Sequence, residues 1–276
     1  KEFEGVSLGL QSMKGVGRLI EVFGLKGDKL SEPNPSEYQE NKIEKHSDDE
    51  VPSIAIIPFD NKGKDEDVFY AYGISADLIS DCRGAGLIRV VGLKDIEKLD
   101  YANLKYEVLS EKLLVRYIAQ GTLWKMGNMF QLSIELYDTK DKKVVWSDRW
   151  QEKWDNLTTI KMNLSDGLLK ALDTKSKVGM KAETINTEAY EYYLKGKYKF
   201  KKRQNIEDIE IAKGLLQQAI KLDDNLIIAI QLLGSLLWRL GNYNEAKNIW
   251  EKCLKQAENL NDKKGIAQSM GSLGWY

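Results

Sequence analysis

From Met129 to Tyr137 the chain reads MFQLSIELY, with Phe130, Leu132, Ile134 and Leu136 on every second position and Gln131, Ser133 and Glu135 between them. Successive side chains of a strand point to opposite faces of a sheet, whereas a helix scatters such a set around its circumference. The stretch is therefore predicted to be a strand with one buried face and one wet face. Similar patterns flank it at Tyr117–Lys125 and Val144–Trp150, and Gly127-Asn128 and Thr139–Lys143 supply turns. The three together predict an antiparallel meander. Trp154–Leu172, with Leu157, Ile160, Leu164, Leu168 and Leu172 on one side, is an amphipathic helix suited to close the buried face.

The residues before the meander read differently. Ser53–Phe59 is a continuous apolar run of strand length, predicted to be buried on both faces, with Pro58 ending its pairing. Phe69–Cys82 carries Tyr72, Ala76, Ile79 and Arg83 at helical spacing, with Gly73 as a flaw and Gly84-Ala85-Gly86 as the stop. Leu87–Val91 reads as a strand, Lys94–Leu99 as a short helix or turn, and Tyr106–Leu114 as a helix. Residues 51–175 are thus expected to form one α+β domain, a mixed sheet with helices.

On either side the character changes. Residues 1–27 show two short strand patterns around a Lys14-Gly15-Val16-Gly17 turn, a hairpin that needs a larger sheet to be stable. Residues 28–50 hold two of the four prolines and almost no apolar residues, the composition of a charged linker. Downstream, within residues 186–276, Ala212, Leu216 and Ala219 recur 34 positions later as Ala246, Trp250 and Cys253. A recurrence of small, large and small residues at this period predicts paired helices that approach closely and interlock. About five extra residues around Arg203–Glu207 are expected to lengthen the first turn. A third unit is expected from Ala267, after a long Asn259–Gly265 connection.

Several functional classes lack material. A net charge of −1, from 41 basic and 42 acidic residues, gives no general attraction to nucleic acid. His46 is the only histidine and lies in the linker, where the Asp48-Asp49-Glu50 triplet reads as solvated, so histidine-based catalysis and metal sites are not expected. Cys82 and Cys253 are expected to be buried, unpaired thiols in a cytoplasmic protein. No apolar run approaches the ~20 residues of a membrane helix. No cofactor site is expected.

Three resemblances sharpen this reading. Leu8-Gly9, Met13-Lys14-Gly15-Val16 and Ile20-Glu21-Val22-Phe23 resemble the carboxy-terminal end of class III adenylate/guanylate cyclase domains. The stretch PSIAIIPFDN…FYAYGISADLIS…GLIRVVG…YIAQGTLWKMGNMFQLSIELYDTKDKKVVWSDRW is similar over about 120 residues to the module related to FlgO and to the amino-terminal domain of TolB. It departs at Tyr72 and Gln120, where that module often has Asp and Glu. The 34-residue recurrence, with Leu233-Gly234 and Gly241-Asn242-Tyr243, resembles tetratricopeptide repeats. These resemblances imply an α+β domain followed by an all-α repeat solenoid, with residues 1–27 a remnant of a catalytic domain whose active-site residues would lie upstream of Lys1. The implied function is a non-catalytic regulatory and interaction region of a bacterial cyclase. The alternative is a domain that senses a small molecule or nucleotide in a transcriptional or signalling regulator.

A repeat groove would take a protein or peptide partner, with Asn225, Gln231 and Asn242 as candidate lining residues, and a homodimer would bring two catalytic domains together. The run Lys195, Lys197, Lys199, Lys201, Lys202 and Arg203, interleaved with Tyr198 and Phe200, is the one basic-aromatic patch. On a repeat helix its aromatics are expected to pack inward and its lysines to form a solvated face, so no nucleic acid is expected. Trp124, Tyr137, Trp146 and Trp150 are read as packing on the sheet rather than as a pocket lining.

Overall fold

The computed structural model describes residues 4–11, 20–26, 51–85, 88–172, 184 and 186–274. Strands β1 (Glu4–Gln11) and β2 (Ile20–Lys26) form the expected antiparallel pair, in register from Glu4 opposite Lys26 to Gln11 opposite Ile20. The glycine turn between them, the linker with His46 and the Asp48–Glu50 triplet lie outside the described residues.

The second sheet is mixed. Strand β3 (Ser53–Ile56), wholly buried, runs parallel to both β5 (Arg89–Val90) and β6 (Tyr117–Met126). Strand β6 continues antiparallel into β7 (Met129–Asp138) and β8 (Lys143–Lys153), giving the order β5-β3-β6-β7-β8. A short β4 (Asp60–Asn61) also pairs with β6. Pro58 does not end the association as expected. The Ile57 N–H still donates to Ala119 O at 2.9 Å, and the chain rejoins β6 two residues past the proline. Strand β7 alternates without exception, Phe130, Leu132, Ile134, Leu136 and Asp138 being buried. Gly121 sits where β6 passes Ser133 and Phe59; a Cβ there would collide with the Ser133 carbonyl oxygen and lie 3.0 Å from the Phe59 ring.

Helices α1 (Val68–Ala85) and α4 (Leu157–Ala171) cover the face that carries Leu132 and Leu136. Trp146 seats against Gly167 of α4, where a Cβ would be 2.8 Å from the indole, and Trp154 meets Tyr70 edge-on at 4.5 Å. The short α2 (Leu93–Ile96) follows β5. Helix α3 (Tyr106–Leu113) lies on the opposite face, where Tyr106 packs on Tyr137 at 4.8 Å. The four aromatics considered as a group therefore divide: Trp124 and Tyr137 belong to one face, Trp146 and Trp150 to the other.

The remaining helices are α5 (Thr187–Lys201), α6 (Ile206–Leu222), α7 (Ile227–Arg239), α8 (Tyr243–Asn259) and α9 (Lys263–Leu273). Asn186 and Asn205 cap α5 and α6 by accepting from the Ala189 and Asp208 N–H groups at 3.0 and 2.9 Å, each satisfying a donor that the helix itself leaves open. The recurring residues do what their sizes predict. Ala212, Leu216, Ala219, Ala246, Trp250 and Cys253 are all buried, Leu216 packs at Gly196, and Trp250 packs at Gly234. Two boundaries differ from expectation. Helix α6 begins at Ile206, so the first turn has only Lys202–Asn205. The expected long connection before the third unit is absent, because α8 runs to Asn259 and α9 starts at Lys263, a full turn earlier relative to Leu273-Gly274 than α7 does relative to Leu233-Gly234.

Helix α1 is buried on two sides rather than one. Its Ile74, Leu78 and Cys82 belong to the sheet core, while Gly73 faces α5, where a Cβ would lie 2.6 Å from Leu194 Cδ2. What reads in sequence as a flaw is a point of close helix approach. One continuous cluster of buried side chains runs from β3 through α1 and α5 to Trp250 of α8.

Candidate functional site

The groove candidates do not converge. Asn225 is exposed in the α6–α7 loop, where its side chain donates to Asp224 Oδ1 at 3.1 Å. Asn242 is exposed just before α8, at the other end of α7, so the 13-residue helix separates the two by roughly 20 Å. Gln231 is buried within α7, with its amide donating to Ser269 of α9, and so presents nothing to a partner.

The basic patch is not a solvated face. Lys195 pairs with Glu191 at 2.6 Å, Lys199 with Asp208 at 2.6 Å, and Lys201 and Lys202 with Glu97 at 3.4 and 2.8 Å. Lys197 pairs with Asp77 of α1. The aromatics pack inward as expected: Phe200 is buried, and Tyr198 meets Tyr72 edge-on at 5.4 Å. Most of these contacts cross from α5 to the sheet unit, so the patch is an internal joint. The charges and the neighbouring acids Glu191 and Asp208 were conspicuous in the sequence; Asp77 and Glu97, more than a hundred residues from Lys197 and Lys202, were not.

The joint centres on two aspartates of α1. Asp77, 3% exposed, accepts from the hydroxyls of Tyr190 at 2.6 Å and Tyr193 at 2.9 Å and from the Lys197 ammonium. One turn on, Asp81 accepts from Ser165 at 3.0 Å, from Lys161 at 2.8 Å and from Lys264 of α9 at 2.9 Å. Ordered side chains from α1, α4, α5 and α9 thus meet at two carboxylates. Burial pushes the Asp77 carboxyl up, but the charges of Lys197 and Lys161 and the Lys197 and Tyr190 hydrogen bonds outweigh it and hold the group down at about 2. Burial also opposes ionisation of Asp81, and Lys161 and Lys264 likewise overcome it, keeping it below the ordinary carboxylate range. Both acids are anionic at neutral pH. Helical spacing in α1 was a usable signal, since acids four apart inside an apolar helix must meet partners if both are buried.

Glu97 forms a smaller version of the same arrangement. It accepts from Tyr72 at 3.3 Å besides its two lysines. Its partial burial works against ionisation, and the bond from Lys202 more than offsets it. Tyr72 therefore uses its hydroxyl at the joint, at the position where the sequence departs from the pattern it resembles.

A second feature lies on the open face of the sheet. A shallow groove of about 680 Å³ is lined by Tyr106, Gln120, Thr122, Ser133, Glu135 and Arg149. Thr122 and Ser133 share a hydrogen bond of 2.7 Å, Tyr106 donates to Glu135 at 2.5 Å, and Arg149 donates to Gln131 at 2.9 Å. Burial and the Glu135 partner push the Tyr106 hydroxyl up, so it remains a donor. Trp124 is 42% exposed on the same face, beyond Thr122. Among the described residues no group of three or more His, Cys, Asp or Glu side chains is placed to hold a metal ion, and no helix is long and apolar enough to cross a membrane.

No protein-family model matches the chain. Among solved structures, TolB from Acinetobacter baumannii aligns with a TM-score of 0.35 and 16% identity over 45% of this chain and 29% of that one. The PelC dodecamer from Paraburkholderia phytofirmans aligns with a TM-score of 0.30 and 18% identity over 46% of this chain and 90% of that one. In sequence, 184 residues, 64% of this chain, are 21% identical to the protein described as "Putative adenylate cyclase 3" of Rhizobium meliloti (strain 1021). The chain covers 31% of that protein's length and is its distant relative.

Proposed function

We propose that this chain is the non-catalytic regulatory and protein-interaction region of a class III adenylate/guanylate cyclase, in which the sheet unit and a tetratricopeptide-like helical stack act on cyclic-nucleotide output together. The observation that carries this reading is the joint at Asp77 and Asp81. Four helices share two carboxylates, Asp77 buried and Asp81 largely so, and a partner that moves the helical stack must also move α1, the helix on which the sheet rests. The distant relative with a cyclase name supports the cyclase context, as do the residues of β1 and β2 that resemble the end of a catalytic domain. The cyclase chemistry itself is assigned to residues upstream of Lys1. Two assays test this. The chain alone, supplied with ATP or GTP and a divalent metal, should form no cyclic nucleotide. The uninterrupted reading frame should form it, and deletion from Val51 onward should alter the rate or its response to a partner. Cyclase activity in neither frame refutes the reading.

The groove at Thr122, Glu135 and Arg149 favours a second reading, a sheet unit that senses a small molecule or nucleotide. A ligand bound there raises the melting temperature in a saturable way, and Arg149→Ala abolishes the rise. A nucleotide panel without a saturable shift removes this reading.

A further inference from the structure

We infer that the outer edge of β8 docks an extended segment of a partner protein, a strand with basic residues on the α4 side of the sheet and acidic residues on the open side. This surface is separate from the helical stack and from the groove of the open face.

The two edges of the second sheet differ. Strand β5 is two residues long; its Arg89 and the following Val91 donate to β3, which turns Val90 outward, and the Val90 carbonyl is taken by Nε and Nη2 of Arg83 at 3.3 and 3.2 Å. Strand β8 is 11 residues long, and among the described residues no strand pairs with its outer side. All of it except Trp146 and Trp150 is exposed. Residues of an antiparallel strand turn their backbone groups alternately to one side and the other. The Trp154 N–H donates to Asn128 O at 2.9 Å, which sets the phase: Trp146, Asp148, Trp150 and Glu152 bond inward to β7, and Ser147, Arg149, Gln151 and Lys153 turn outward. In keeping with this, the Arg149 N–H donates to the carboxylate of its neighbour Asp148 at 2.7 Å. Asp148 is exposed, so an arriving strand displaces that bond by a side-chain rotation alone.

The charges along the edge select its occupant. Trp146, Asp148, Trp150 and Glu152 alternate aromatic and acid on the α4 side, and Arg149 and Lys153 are the cations of the open side. Arg149 and Glu152 hold only exposed hydrogen bonds, to Gln131 and from Asn156. Like charges directly opposite destabilise a strand pair. A second copy meets them throughout. Val145 is the extra residue of a bulge, which confines an antiparallel β8–β8 ladder with matched faces to Trp146–Lys153. Every in-phase register that pairs more than half of these residues sets Asp148 against Asp148, Arg149 against Arg149, Asp148 against Glu152, or Arg149 against Lys153. A strand of another sequence with the signs reversed meets none of these oppositions. It places cations opposite Asp148 and Glu152, anions opposite Arg149 and Lys153, and apolar residues opposite Trp146 and Trp150. The positions opposite Asp148, Trp150 and Glu152 are non-hydrogen-bonded pairs, in which side chains lie closest, so the selection is strongest there.

The test uses the full 276-residue chain and the labelled peptide Glu-Lys-Thr-Val-Glu-Lys-Thr-Val, which in antiparallel register faces Lys153 back to Trp146 in that order. A second peptide has glutamate in place of the second lysine, the residue opposite Asp148. The first peptide is expected to bind saturably and about fivefold more tightly than the second. The substitution Asp148→Lys, at an exposed position, should reverse that preference. Bound peptide should slow hydrogen exchange at the outward Ser147 and Gln151 amides and leave β5 unchanged. No binding up to about 1 mM, equal affinity for the two peptides, a preference that Asp148→Lys leaves in place, or binding without protection of β8 overturns the inference. Should Asp148→Lys not fold, Arg149→Glu with lysine in place of the second glutamate of the peptide decides in the same way. Two other occupants would show themselves in the chain alone. A second copy on this edge would sediment as a dimer that the peptide dissociates, and another segment of the same chain would protect the Ser147 and Gln151 amides before any peptide is added; either result overturns the inference. None of these readouts involves cyclic nucleotide, so cyclase activity tests the proposed function separately.

Discussion

Removal of Asp77 is the sharpest perturbation of the joint. In Asp77→Ala the phenols of Tyr190 and Tyr193 lose acceptors at 2.6 and 2.9 Å inside a closed contact, and Lys197 and Lys161 lose a counter-charge. A buried donor left without a partner costs about 1–3 kcal/mol, and breaking one side of a buried ion pair costs about 3–5 kcal/mol in total. Lys197 can turn to solvent, so its share is small, and a net loss of about 3–4 kcal/mol is expected. Against a stability of about 5–15 kcal/mol this is a large fraction, on the order of 10 °C in melting temperature. Urea unfolding followed by tryptophan fluorescence at pH 7 gives the number directly. A double-mutant cycle with Lys197→Met apportions it, with a coupling of about 1–2 kcal/mol expected. A loss below about 1 kcal/mol for Asp77→Ala, or additivity within about 0.5 kcal/mol, would show that the joint is decorative and would refute the reasoning.

Acid should weaken the same joint. The folded carboxyl of Asp77 lies at about 2 against 3.8 when unperturbed, so the stability it contributes is complete above about pH 4 and lost as pH falls through 2. The drop is about 2 kcal/mol, and Asp77→Asn should abolish that part of the pH slope. Gly121→Ala drives a methyl into the Ser133 carbonyl and the Phe59 ring, and should cost at least about 2 kcal/mol by urea unfolding, whereas Gly214→Ala, with open space around it, should be stabilising or neutral. Burial pushes the thiols of Cys82 and Cys253 up, so neither should react with a thiol reagent at pH 8 until the chain is unfolded; prompt labelling of either would contradict the packing.

The parts of the fold governed by local periodicity were legible in the sequence. Phe130 to Leu136 announced a half-buried strand, and the 34-residue recurrence announced helix pairs, because each pattern follows from geometry within one element. Strand β4 was missed since two residues after a proline carry no periodicity; it exists because Leu123 offers a carbonyl to Lys62 at 2.7 Å. In sequence, helix α1 shows the helical spacing of Tyr72, Ala76, Ile79 and Arg83 with Gly73 as a flaw, and nothing local marks Asp77 as a contact. Both become favourable only when Tyr190, Tyr193 and Leu194 arrive from more than a hundred residues away. The lysines of α5 were misjudged for the same reason. A charge reads as solvated when its partner lies on another element.

The central position of β3 also affects how the chain is made. Its first partner, β5, brings only two residues, and its main partner, β6, begins at Tyr117, some sixty residues after Ile54. At ~5–20 residues per second, a ribosome extrudes the apolar run Ser53–Phe59 roughly 3–12 s before the strand that covers it exists. During that interval the sheet's most hydrophobic segment has at most the two residues of β5 to pair with, and Pro58 together with the charge-rich stretch Asp60–Asp67 is its own protection against misassociation on the way out.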